Sequence, residues 1–327
     1  MERRRFIGFA AAILLARPLR AGAQSTARAH RIGFLGNSTA ALEANLVGPF
    51  RDGLRELGYV EGRNLAIEYR WAEGNYKRFP KLVDELLAAG VEIIVTAGTP
   101  AAQAVERATK TVPLVMVAVG DPVGTQLVAS LAHPGGNATG LTSIAPDLEG
   151  KRLELLTQVA PRLSTVAVLW NPDNAFHAGA ERQAHEAAHV LHLDLVSVQV
   201  RSARDFDAAF DAIVSRGAGA MSILADRVFL HNRARIVEFA TKRRLPAVYP
   251  YRELVDAGGL MSFGPDYADM HRRAAAYVDR ILKGAKPADL PIEQPARFEL
   301  VINQRAARAI GVAFPSALLL RASDVLE

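Results

Sequence analysis

The sequence has no cysteine. That one absence removes disulfides, thiolate metal sites, thiol nucleophiles and a lipid-bearing cysteine together. No apolar run reaches the roughly 20 residues of a membrane span; FIGFAAAILLA, near the N-terminus, is only about half that length. Charge of one sign is scarce as well. The formal net charge of +5 owes most to residues 1–23, which hold five arginines against one glutamate and leave 34 basic and 33 acidic residues elsewhere. Binding nucleic acid through its phosphates requires a concentrated basic footprint, so a nucleic-acid partner is not expected. Several catalytic signatures are also missing: the G-x-S-x-G elbow, the G-x-x-x-x-G-K-[ST] phosphate loop, and G-x-G-x-x-G after the first strand, which offers only Gly33-x-x-Gly36. No cofactor is expected.

What is present is a packed chain. Half of its 327 residues are hydrophobic and 22% are charged, enough length for two lobes, each with its own core. Arg3-Arg4-Arg5, the apolar stretch and Ala21-Gly22-Ala23 form the charged, apolar and cleavage regions of a signal peptide over residues 1–23. Arg3-Arg4-x-Phe6 resembles a twin-arginine signal, with Glu2 where Ser or Thr is usual. The expectation is a periplasmic monomer whose mature form is not embedded in a membrane.

Short apolar strands alternate with longer helical segments, and the alternation occurs twice. One unit runs from RIGFLGN to VPLVMVAVGDP, the other from TVAVLWNPDN to LPAVYPY. Each reads β-α-β-α-β-α-β, which predicts a parallel, doubly wound sheet with right-handed crossovers. Within the second, VFLHNRARIVEFATKRR is expected as one helix. Each unit closes on the same pattern, G-L-x-S-x-x-P-D, at Gly140–Asp147 and Gly259–Asp266. The predicted division is lobe one over 30–141 plus 266–296, and lobe two over 144–261 plus 299–327. Extended hinge segments are expected near 140–146, 259–265 and 296–303.

In open α/β sheets, ligands bind beyond the C-terminal ends of the strands. That rule gathers Asn37, Ser38, Trp71, Thr96, Gly98, Thr99 and Asp121 from lobe one, and Trp170, Asn171, Asp226 and Tyr249 from lobe two. Arg227 and Tyr251 lie in the same loops. The set suits a small zwitterion. Hydroxyls and a helix N-terminus face a carboxylate, Asp226 faces an ammonium group, and rings hold a side chain. Thr99 is expected to cap the following helix, with Pro100 at its first position. Replacing Asp226 with Ala is expected to abolish binding and leave the fold intact.

The stretches YVEGRNLAIEYRWAEGN, TAGTPAA, VAVGDPVGTQLVASLAHPGGNATGL, KRLELL, VAVLWNPDN, LPAVYPYRELVDAGGLMSFGPD, RRAAAYVDRILKGAKPADLPIEQP and FELVIN are similar to one family. It is the exported substrate-binding proteins of ABC transporters related to tryptophan- and tyrosine-binding components. The resemblance runs from about Arg31 to the C-terminus. It implies a type I periplasmic-binding-protein fold, with two Rossmann-like lobes, three crossovers and closure on a small-molecule ligand. It also implies an ABC permease as partner and, as a ligand, an amino acid, with aromatic ones favoured. A sensor that presents its ligand to a chemoreceptor is the alternative within the same fold.

One motif points elsewhere. His185-Glu186-Ala187-Ala188-His189 matches the H-E-x-x-H zinc hydrolase signature. Ala180, Ala184, Ala187, Ala188 and Leu191 form the apolar stripe of that helix, which turns His185, His189 and His192 toward solvent. A catalytic zinc needs a third ligand and an open position in a pocket, so this reading ranks last and no metal site is expected.

Overall fold

Two sheets of mostly parallel strands organise the chain in a computed structural model that describes residues 29–144 and 148–327. The predicted signal peptide over 1–23 lies outside the described residues, as do Ala145, Pro146 and Asp147 of the first junction.

The first sheet runs in the order β2-β1-β3-β4-β5, built from β1 (His30–Gly36), β2 (Leu65–Trp71), β3 (Ile93–Ala97), β4 (Leu114–Val119) and β5 (Ala138–Thr142). All its pairings are parallel. IIVTA and LVMVAV, two of its three interior strands, are buried throughout. Unbroken burial is what a parallel strand covered on both faces requires. Its helices include α1 (Ala44–Glu56), α2 (Phe79–Ala88) and α3 (Thr99–Ala108). In α1 the buried positions are Leu46, Phe50, Gly53 and Leu54, one face at helical spacing. Each large apolar side chain so buried stabilises the fold by roughly 1.5–3 kcal/mol.

The second sheet contains β6 (Thr165–Trp170), β7 (Asp194–Gln199), β8 (Ala220–Ile223), β9 (Ala247–Tyr249), β10 (Met261–Pro265), β11 (Phe298–Asn303) and β12 (Asp324–Leu326). Their order is β12-β11-β10-β9-β8-β6-β7. The remaining helices, in chain order, are α4 (Leu148–Val159), α5 (His177–Val190), α6 (Phe206–Ser215), α7 (Arg227–His231), α8 (Arg233–Lys242), α9 (Arg252–Asp256), α10 (Tyr267–Leu282), α11 (Gln304–Ile310) and α12 (Ser316–Leu319). Among the described residues, no helix is long and apolar enough to cross a membrane.

Two details depart from the sequence expectation. The second sheet is not wholly parallel, because β10 and β11 pair antiparallel. The cause is the path between them. After β10 the chain crosses to the first lobe and packs α10 along α1, β4 and β5. It therefore returns from the end at which it left, and β11 runs back beside β10. Asp266 caps α10 at this crossing by accepting from the Asp269 N–H at 2.8 Å. The second departure is the segment expected as one helix, which breaks at Asn232 into α7 and α8. There φ is −98° and ψ 19°, and the Asn232 side chain donates to the Val228 carbonyl at 2.8 Å. The break makes α7 a separate turn against the other lobe, where its His231 meets Ser38.

Candidate functional site

The C-terminal ends of the two sheets face each other, and side chains bond across the boundary. Ser38, just past β1, holds its Oγ 2.6 Å from Nδ1 of His231 in α7. Asn45 donates to Glu253 Oε1 at 2.7 Å. Tyr76, in a short turn after β2, donates its hydroxyl proton to Asp226 Oδ1 at 2.6 Å. Burial first, and the Asp226 charge second, push the Tyr76 phenol well above its usual pKa. It therefore remains a donor at any physiological pH.

Asp226 is the focus of lobe two. It is almost fully buried, and its Oδ1 also accepts from the Val228 N–H at 2.9 Å, which caps α7. Asn171 Nδ2 approaches the same oxygen at 3.3 Å, and Asn174 Nδ2 donates to Oδ2 at 2.9 Å. Oδ1 thus takes three donors and Oδ2 one, so Oδ2 keeps the capacity to accept another. His177 supports this arrangement from behind. Its Nδ1 accepts from the Asn171 N–H at 2.9 Å, so the proton lies on Nε2, which donates to the Ala225 carbonyl at 3.0 Å. Burial lowers the His177 pKa and keeps the ring neutral.

On the opposite wall, α3 begins without a side-chain cap. Its N-cap position is Gly98, at φ 80° and ψ 155°, a left-handed φ that favours glycine. Thr99 is the first helical residue and Pro100 the second, so the helix begins one residue earlier than the capping pattern predicts. The Thr99 hydroxyl is engaged elsewhere, accepting from the Gly120 N–H at 3.1 Å. Ala118 at the end of β4 has a φ of 52°, beside a register shift in the β4–β5 pairing. Strained backbone of this kind concentrates at functional sites. Across the boundary Phe176 stands directly on Gly120, where a Cβ would lie 2.3 Å from the ring carbon Cγ.

Gly98, Thr99 and Asp226 line one pocket between the lobes, together with Tyr76, Ala118, Asn174, Phe176, Arg227, Tyr251 and Tyr267. The space left among them holds little more than a water molecule, so admitting a solute requires the lobes to part. Asn171 reaches this pocket through Asp226. Asn37 and Ser38 are not among its lining residues; both backbone N–H groups donate to Glu43 Oε1 at 2.9 and 2.6 Å. Asn37 Nδ2 donates to the Ala97 carbonyl at 2.9 Å, while its Oδ1 is buried without a partner.

The other sequence candidates stand apart from the pocket. Thr96 ties β3 to β1 by donating to the Leu35 carbonyl at 2.7 Å. Trp71 stacks on Tyr69, with ring centroids 6.0 Å apart, and packs against Phe34 in the core. Trp170 turns away toward β7, donating to Ser197 Oγ at 2.8 Å. Tyr249 is a core residue with a fully buried ring. Asp121 lines an adjoining hollow and accepts from the Gly124 N–H at 2.8 Å. The aromatic surface of the pocket comes instead from Tyr76, Phe176, Tyr251 and Tyr267. Of these only Tyr251 lies in the loops that strand-end reasoning selects. Arg227 was also within reach: a cation in the first turn of a helix opposes the helix dipole, and that oddity was readable.

The H-E-x-x-H helix is ordinary sheet cover. Ala180, Ala184 and Ala188 are buried, and exposed His185 pairs with Glu181 at 3.0 Å. Among the described residues, no three His, Cys, Asp or Glu side chains are grouped to hold a metal.

Residues 38–326 match the family described as ABC transporter substrate binding protein. A tyrosine-binding protein from Clostridioides difficile is 25% identical over 261 residues, covering 80% of this chain and 75% of that protein. The crystal structure of an ABC domain in complex with L-Trp from Streptococcus pneumonia superposes with a TM-score of 0.84 at 26% identity, covering 91% of this chain and all of that one. A conserved domain protein from Vibrio cholerae gives a TM-score of 0.85 at 29% identity over the same shares. The chain belongs to the ABC transporter substrate-binding protein family, and its two-lobed α/β architecture is the type I periplasmic-binding-protein fold.

Proposed function

We propose that this member of the substrate-binding family captures a small ligand between its lobes, an amino acid with aromatic ones in preference, and delivers it to the permease subunits of an ABC importer. In this reading it acts in the periplasm, as a monomer, and carries out no catalytic step. The observation that carries the reading is the Tyr76–Asp226 hydrogen bond, which joins the two lobes inside the pocket. A site built from both lobes couples occupancy to their separation. A solute that touches both walls stabilises the closed arrangement by its differential contacts, and a permease that recognises that shape receives only loaded protein.

The chemistry of the walls supports the ligand class. Asp226 Oδ2 is suited to an ammonium group, the uncapped α3 N-terminus to a carboxylate, and the rings of Tyr76, Phe176, Tyr251 and Tyr267 to an apolar side chain. The likeness to a protein named for tyrosine and to an L-Trp complex favours the aromatic members. Closure is assigned to rotation about the three crossings, with residues 30–141 and 266–296 moving as one body against 144–261 and 299–327. Thermal-shift screening against the natural amino acids tests the reading, since a ligand that binds only the native state raises Tm. L-tyrosine or L-tryptophan is expected to give the largest shift. A shift from another solute class, with none from any amino acid, would refute the ligand assignment.

A further inference from the structure

Arg227 is the first residue of α7 and only 3% exposed. Neither Nη1 nor Nη2 has a hydrogen-bond partner among the described residues. Burying a guanidinium with its donors unpaired is strongly unfavourable, and such a group is retained where it has something to bind. Its aim is fixed by two rings: Cζ lies 5.2 Å from the Tyr251 centroid and 5.6 Å from that of Tyr267. Glu43 and Glu253 attract its charge, but among the described residues no ion pair within 4.0 Å forms with either.

Arg227 also faces the α3 N-terminus. A Cβ built on Gly98 would lie 3.6 Å from Arg227 Cγ and 4.0 Å from Nε. A ten-residue helix begins there, with no side-chain cap and the Thr99 hydroxyl turned to Gly120. Its first N–H groups have no intrahelical acceptor, and the helix dipole favours an anion beside them. Two sets of unsatisfied donors, one from each lobe, therefore border the same pocket.

We propose that Arg227 and the N-terminus of α3 form a two-sided carboxylate clamp, so that the solute must carry a carboxylate and binding it draws the lobes together. The planar fork of Arg227 matches a carboxylate. With Asp226, Glu43 and Glu253 around it, the site favours a monoanion over a doubly charged phosphate. The inference rests on the receptor reading above and adds the group that reading needs on lobe two.

The test compares wild type, Arg227→Gln and Arg227→Lys by calorimetry and thermal shift. The probes are L-tryptophan, L-tyrosine, L-leucine, indole-3-propionate, tryptamine and inorganic phosphate. At least one carboxylate is expected to bind wild type, with Kd raised at least tenfold in Arg227→Gln and less in Arg227→Lys. Tryptamine and phosphate should give no shift. If indole-3-propionate binds and no amino acid does, the clamp stands and the amino-acid reading fails. If an amino acid binds Arg227→Gln as well as wild type, or tryptamine matches L-tryptophan, the clamp is overturned and the amino-acid reading survives. If no carboxylate binds wild type, the clamp is likewise overturned. Should Arg227→Gln fail to fold by near-ultraviolet circular dichroism, Arg227→Lys and the tryptamine comparison decide.

Discussion

Tyr76 and Asp226 are 150 positions apart in the chain, and their oxygens are 2.6 Å apart between the lobes. A hydrogen bond to an ionised group contributes about 1.5–3 kcal/mol, and each 1.4 kcal/mol is about tenfold in an equilibrium constant. Tyr76→Phe keeps the ring in place and removes only the bond. We expect the ratio of closed to open ligand-free protein to fall by about tenfold or more. Because the chain has no cysteine, two introduced ones give unambiguous labelling for single-molecule energy transfer between lobes. Identical distance distributions in variant and wild type would show that this bond does not hold the lobes together.

Asp226 does more for the fold than an isolated ligand contact would. Its carboxylate collects Tyr76, Asn171, Asn174 and the Val228 N–H. Asp226→Asn keeps the shape and turns one acceptor into a donor facing donors. Leaving buried donors unsatisfied costs about 1–3 kcal/mol, so Tm should fall by several degrees as affinity drops at least tenfold. The sequence alone suggested that Asp226→Ala would spare stability, whereas the network makes loss of stability the expected outcome for either substitution. An unchanged melting curve for Asp226→Asn would contradict the network.

Asp226 was legible because it follows an apolar strand directly, and the VTAGTP turn because small residues link a buried strand to an alanine-rich helix. Residues beyond the reach of strand-end reasoning were not. Tyr76 belongs to a turn five positions past β2, and Tyr267 opens the helix that crosses between lobes. Both reach the pocket only through tertiary placement, which one chain's periodicity does not encode. Trp71 was misplaced for a reason the sequence did contain. Ile67, Tyr69 and Trp71 alternate along β2, so they share one face, and that face packs on the core. Two doubly wound units were readable from strand–helix alternation, while the antiparallel β10–β11 pair depends on where α10 docks.

Gly120 offers a test of how closely the lobes must meet. A Cβ there would lie 2.3 Å from Phe176 Cγ and within 2.7 Å of both Cδ atoms. That is a collision with the body of a ring, and overpacking of this kind costs roughly 1–3 kcal/mol. Because Phe176 belongs to lobe two, opening relieves the clash. Gly120→Ala should therefore weaken ligand binding about tenfold or more while changing Tm of the ligand-free protein little. Calorimetry and melting on the same preparation separate the two effects, and unchanged affinity would mean that Phe176 does not bear on Gly120 in the bound state.

Acid should destabilise the protein through histidines buried in neutral form. Burial, followed by the Arg227 charge, lowers the His271 pKa to about 3. Its Nδ1 lies 2.6 Å from the Tyr267 carbonyl, so Nδ1 carries the proton and donates it. The direction follows from linkage. In the unfolded chain the imidazole titrates near 6.5, so between that pH and about 3 the unfolded state holds a proton that the folded state refuses. The His271 contribution is complete above pH 6.5 and declines as the pH falls, at about 1.4 kcal/mol per pH unit. His177 and His231, also lowered by burial, act in the same direction. His271→Gln keeps a donor for the Tyr267 carbonyl and removes the titration. Urea unfolding at pH 7.0, 6.0, 5.0 and 4.5 should give a stability profile shallower than wild type by about one proton below pH 6. Parallel profiles would mean that His271 takes up its proton in the folded state as readily as in the unfolded one.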